Sequence, residues 1–248
     1  MWGLLVWCVF AATPEIGASV LLTREVPPDP AVLRQAVEEL AGEAPREVAP
    51  GVFEAARLGR VTVTPGKALE GMDAARARGL SKILTDEVLP QHAASWRVAL
   101  APAVGLSRVA GLDAVTRIAA ALARSPDAVG VYFEAGKVMH PAAWVLGALR
   151  EKTPAAWLWV GFELGGDKDR LTLTSLGLAE AGLAELELAA ARADIGAAIE
   201  TFFELVARAL ARGSDFPDGT ELAREGKSPL VVRRAAGEAR WRVEFRAR

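Results

Sequence analysis

The sequence predicts an α+β fold, a mixed β-sheet with helices packed on it and a C-terminal β-hairpin. Three observations carry that expectation. Capped segments with a helical apolar period alternate along the chain with short apolar or alternating runs of strand length. An apolar fraction of 52% over 248 residues is ample for a large core. The last stretch joins two strand-like runs through Ala235-Ala236-Gly237-Glu238, a hairpin pattern. The chain reads as one globular domain, residues 1–248, or as two tightly packed lobes of about 1–110 and 111–248, since no linker, low-complexity tract or repeat divides it.

Gly3–Ala11 reads as a buried strand in which Cys8 is a small apolar residue. A targeting role for Met1–Ala12 is the alternative, although no Lys or Arg precedes Arg24 and the run is too short to span a bilayer. Ala18–Thr23 is a second apolar run. Asp29-Pro30 supplies an N-cap and a Pro at the first helical position; Leu33, Ala36, Val37 and Leu40 then share a face, and Gly42 closes the helix. Val61–Thr64 and Trp96–Ala101 read as strands, with a loosely periodic helix over Leu69–Leu89. Asp113 is read as the cap of a helix carrying Val115, Ile118 and Leu122. Val129–Phe133 follows as a strand, and His140-Pro141 opens a short helix through Leu149, with His140 a capping or turn residue. Ala156–Leu164 is expected to be one buried strand with Trp157 and Trp159 on the same side. With Trp144 they form either a core layer under a helix or a partly exposed aromatic patch. Leu171–Thr174 and Leu186–Leu188 alternate as strands do. After Asp194, the stripe Ile195, Ile199, Phe202, Phe203, Val206 and Leu210 marks the strongest helix, ended by Gly213. The final strand sets Trp241, Val243 and Phe245 against Arg240, Arg242, Glu244 and Arg246.

Chemistry is mostly excluded. A net charge of -2 without a basic stripe argues against nucleic acid as partner. A single cysteine allows no intramolecular disulfide and fits a reducing, cytoplasmic setting. Two histidines and one cysteine provide no zinc spacing. Asp167-Lys168-Asp169 has the alternation of a calcium loop but interleaves a Lys and lacks the downstream Glu, so it reads as a turn. Gly226-Lys227-Ser228 lacks the earlier glycine of a phosphate loop, Glu221 standing there, and a strand-like run follows instead of a helix. No Gly-x-Ser-x-Gly elbow occurs. His92 and His140 alone titrate near neutrality unaided, and both read as structural. No catalytic residue, metal, cofactor or membrane span is expected.

Ser175-Leu176-Gly177-Leu178, then Gly182, then Glu185-Leu186-Glu187, resembles the signature of a bacterial domain family of unknown function, DUF4261. There a Thr-x-Gly-Leu-like run leads into a Gly-x-x-Glu-Leu-Glu strand; Ser175 takes the place of the Thr. Asp218-Gly219-Thr220, Ala128–Tyr132 with His140-Pro141, and Ser19–Leu40 are similar to other parts of that family. The resemblance implies no activity and no catalytic residue. It implies a protein partner, in an immunity or accessory role beside a bacterial secretion or toxin system. A non-enzymatic protein-binding function is therefore expected, with an enzyme of unrecognised type or a structural scaffold component as alternatives. The partner-binding residues expected are Gly177, Gly182, Glu185, Glu187, Asp218 and Thr220. The glycines would shape turns before a strand whose exposed face carries two acids about 7 Å apart, with Asp218 and Thr220 near the same edge.

Overall fold

All seven residues of β1 (Ile16–Leu22) are buried, as a central strand covered on both faces requires. In the computed structural model, which describes residues 15–70, 92–150, 156–224, 227–234 and 240–245, β1 lies inside a seven-stranded antiparallel sheet. Its companions are β2 (Arg46–Ala49), β3 (Val52–Ala55), β4 (Gly59–Lys67), β5 (Ala94–Pro102), β6 (Ala128–Phe133) and β7 (Val138–Pro141), in the order β2-β3-β4-β5-β1-β6-β7. The proposed strand Gly3–Ala11, with Cys8, and most of the proposed helix Leu69–Leu89 lie outside the described residues.

Among the described residues three helices cover one face of this sheet. In α1 (Pro30–Ala41) the Asp29 carboxylate accepts a hydrogen bond from Ala31 N–H and Gly42 ends the helix, as the sequence predicts. In α2 (Arg108–Leu122) the cap is Ser107, whose Oγ accepts from Ala110 N–H at 3.1 Å. Asp113 lies a turn further in and pairs with Arg117, so the expectation that Asp113 caps the helix is corrected. Short α3 (Ala142–Ala148) follows Pro141 directly. His140 neither caps it nor turns; it is a β7 residue, fully buried, opposite Val131 of β6.

A second, six-stranded sheet has the order β11-β12-β13-β10-β9-β8. It comprises β8 (Gly161–Gly166), β9 (Arg170–Leu176), β10 (Glu185–Ala191), β11 (Thr220–Arg224), β12 (Lys227–Arg234) and β13 (Arg240–Phe245). It is mixed: β10 runs parallel to β13, and the other neighbours are antiparallel. The expected terminal hairpin is present, with Leu230 opposite Phe245 and Arg234 opposite Trp241. Trp241 and Val243 face inward while Arg240, Arg242 and Glu244 are exposed. On the inner face lies α4 (Ile195–Arg212), closed by Gly213. Phe202 is fully buried in it and Phe203 half-buried, and the two rings stack edge-on against each other and against Phe162 of β8. An α+β fold results.

Between the sheets the chain departs from expectation. Ala156–Leu164 is not one strand: Ala156–Leu158 is a turn of 3₁₀ helix, and β8 begins only at Gly161. Trp157 and Trp159 therefore do not share a strand face. Trp157 is half-buried beside His140, whereas Trp159 is driven into the core, where its Nε1 donates to Thr116 Oγ1 of α2. Thr116 in turn donates to the Leu112 carbonyl at 2.7 Å, so both buried polar groups are satisfied. One contiguous apolar core runs through both sheets. The switch between them falls after α3, near residue 150; a division near 110 would cut α2.

Three more contacts join the sheets. Gly136, in the β6–β7 turn, meets Gly177 at the end of β9, where a β-carbon on Gly177 would lie 2.8 Å from Gly136 Cα and 2.8 Å from the Trp159 carbonyl oxygen. Arg108 of α2 donates through Nε to the Glu180 carbonyl at 2.7 Å and through a terminal nitrogen to its carboxylate at 2.9 Å. His140 meets Trp157 edge-on at 5.0 Å.

Candidate functional site

Six residues were expected to form a partner-binding edge, and the second sheet does bring most of them to one end. Glu185 is opposite Arg240, and Arg234 is opposite Trp241 at the same end. Asp218 accepts from Arg234 N–H at 2.8 Å, and Asp215 accepts from Ala184 N–H at 2.7 Å, which ties the loop after α4 to the loop before β10. Their side chains are nevertheless committed inward. Ser175 Oγ–H donates to the Glu185 carboxylate, which also accepts from Gly177 N–H at 2.9 Å and Ala179 N–H at 3.1 Å. Glu187 is 22% exposed and bridges Arg242 at 3.2 Å and Arg240 at 3.9 Å. The exposed acidic face is thus replaced by one buried-edge carboxylate and one neutralised by arginine. Thr220 Oγ–H donates to the Pro217 carbonyl, closing its own turn. Gly177 serves the seam between the sheets, and Gly182 (φ 80°) ends a 3₁₀ turn with open space around it. The Ser175-Leu176-Gly177-Leu178 run and Glu185 are thus held together by internal bonds.

His92 is likewise tied to the backbone. Its Nε2 lies 3.1 Å from both the N–H and the carbonyl of Leu69, holding the stretch that leads into β5 against the one that follows β4. Asp167 accepts from Asp169 and Arg170 N–H, closing the β8–β9 turn as the sequence suggests; those bonds hold its carboxyl below the usual carboxylate range. Among the described residues no group of three or more His, Cys, Asp or Glu side chains converges, and no helix is long and apolar enough to cross a membrane.

One concavity was not expected from sequence. It is an open groove of about 940 Å³ between α1 and α2. Val32, Gln35, Ala36, Glu39 and Leu40 recur at helical spacing along one wall; Asp113, Arg117, Ala121 and Arg124 do so along the other. Trp96 of β5 forms part of the floor, and its Nε1 donates to the Val26 carbonyl at 2.7 Å, fixing the Val26-Pro27 strap at one end. Leu149, just after α3, closes the remaining side. The floor is apolar and the rim charged. Asp113 is held by Arg117, and Asp127 by a bidentate contact from Arg24 at 2.8 and 3.1 Å that keeps its carboxyl below the usual range. Asp29 and Glu39 have no cationic partner among the described residues, which leaves the α1 rim acidic. A trough of mixed apolar and charged lining suits an amphipathic occupant.

No known protein family, curated protein or solved structure matches this chain.

Proposed function

We propose that the protein acts by binding another protein, and that the groove between α1 and α2 receives an apolar segment of that partner flanked by basic residues. One observation carries the reading: a groove of about 940 Å³ with Trp96 at its base and Val32, Leu40 and Leu149 in its lining, bounded by two helices and an acidic α1 rim. Helix-in-groove recognition uses this arrangement, with anchors at helical spacing buried in the trough and charges matched along its edge. An immunity or accessory role beside a secretion or toxin system, which the resemblance to DUF4261 implies, needs such a surface and no reacting group. The test is site-specific photo-crosslinking in the native host, with the photoreactive residue at Gln35 on the groove rim or at Thr172 on the outer face of the second sheet. A discrete adduct is expected from Gln35 and not from Thr172, abolished by Ala121→Arg and weakened by Glu39→Lys. An adduct confined to Thr172, or one from Gln35 that survives Ala121→Arg in a folded protein, refutes the groove.

A further inference from the structure

We infer that His140 is an acid-operated latch on the seam between the two sheets. The ring is fully buried, and among the described residues neither nitrogen makes a hydrogen bond of good geometry, the nearest polar groups being the backbone of Trp157 and Leu158. It stands in an aromatic box, 5.0 Å edge-on from Trp157 and 6.2 Å from Phe133, with Trp144 edge-on to Trp157 at 6.1 Å. A phenyl ring would fill that box without leaving two polar atoms unpartnered. The position is also mechanical. His140 lies on β7, the edge of the first sheet, and Trp157 lies on the 3₁₀ turn that carries the chain to the second. A charge on this ring has to be hydrated, and the direct route to water is to part Trp157 from β7, next to the Gly136–Gly177 contact.

Among the described residues no neighbouring charge relieves the ring. Neither α3 nor the described turn residues carry a titratable group. Glu134, following β6, is bound on both oxygens by Arg97, and Lys137, preceding β7, is exposed. On α2, Arg108 is taken by Glu180, and Asp113 and Arg117 by each other. Burial consequently pushes His140 down from its ordinary 6.5 to about 4, against a smaller opposing pull from the backbone of Trp157 and Leu158. Because the folded value lies below the unfolded one, the closed seam is favoured fully above pH 6.5 and loses ground as pH falls toward 4, levelling off below that. Any opening that hydrates the ring becomes about twentyfold more populated between pH 7 and pH 5. The latch stands independently of the groove.

The test uses the full-length protein and amide hydrogen exchange by NMR, corrected for intrinsic rates, at pH 7 and pH 5. The amides of Trp159, Gly161 and Gly177 are expected to exchange through an opening that the β1 and β5 amides do not share. Their protection should fall by about twentyfold in the wild type. In His140→Phe it should stay within about twofold. Titration of the His140 imidazole in the wild type gives a second readout that needs no variant. An imidazole titrating near 6.5, seam amides that exchange only with global unfolding, or an equal loss in His140→Phe would each overturn the latch.

Discussion

Gly177 and Gly182 stand five residues apart, both with left-handed backbone, yet the structure assigns them unequal costs on substitution. At Gly182 (φ 80°) nothing lies within 4 Å of an added β-carbon. Gly182→Ala should therefore cost only the left-handed conformation of an L-residue, about 1–2 kcal/mol. At Gly177 (φ 112°) the same methyl would sit 2.8 Å from Gly136 Cα, 2.8 Å from the Trp159 carbonyl oxygen and 2.9 Å from Gly136 nitrogen. All three are backbone atoms, so no side chain can swing aside. Overpacking of a tight contact adds about 1–3 kcal/mol, which brings Gly177→Ala to a total of about 2–5 kcal/mol. Gly136→Ala meets the same obstruction from the other side, its β-carbon 2.3 Å from the Trp159 carbonyl oxygen. Once the seam has been forced apart by one methyl, the second has less left to displace, so the double variant should cost less than the sum of the single ones. Urea unfolding of the three variants and Gly182→Ala, with midpoints and slopes fitted together, measures this. Equal costs at 177 and 182, or strict additivity of 136 with 177, would show that the two glycines serve conformation alone and that no close seam exists.

Glu185→Ala should cost about 2–3 kcal/mol in chemical denaturation, because three donors lose one ionised acceptor. Glu187→Ala, whose partners are exposed arginines, should stay within about 1 kcal/mol; equal effects would refute the distinction. Phe202→Ala should cost about 3–5 kcal/mol as a fully buried ring, and half-buried Phe203→Ala about half as much. The reverse ranking by thermal unfolding would mean that α4 presents a different face to the sheet.

Where a local signal and a tertiary contact agreed, the sequence was readable. Asp29-Pro30 and Gly42 delimit α1, and the stripe after Asp194 delimits α4, because caps and apolar period coincide. Misreadings cluster where burial comes from every side. Ala156–Phe162 carries no polar side chain and Leu158–Phe162 are enclosed, so no period distinguishes the end of the 3₁₀ turn from the start of β8. Asp113 resembles a cap because an apolar helical run comes after it. The same run would come after an acid already one turn inside a helix, where Arg117 at the fourth position along holds it. Glu185 and Glu187 alternate like solvent-facing acids; only the fold shows that Ser175, Gly177 and Ala179 converge on one of them. The groove was illegible for a plainer reason. Its walls come from residues 26–40 and 113–127 and its floor from Trp96, stretches that no short window holds together.

The order in which the strands are laid down has a consequence during synthesis. Every strand of the seven-stranded sheet lies within residues 16–141, and every strand of the other within 161–245. At about 5–20 residues per second, a ribosome takes roughly 5–20 s to pass from the last strand of the first sheet to the last of the second. For roughly the first 1–4 s of it, the newborn half holds Phe133, His140 and Thr116 without the Trp157 and Trp159 that later seal them. A histidine rather than a phenylalanine at this uncovered spot makes the waiting surface wetter and less adhesive, and while it is open to water nothing burdens its polarity. The cost of the ring falls due only when Trp157 arrives to cover it.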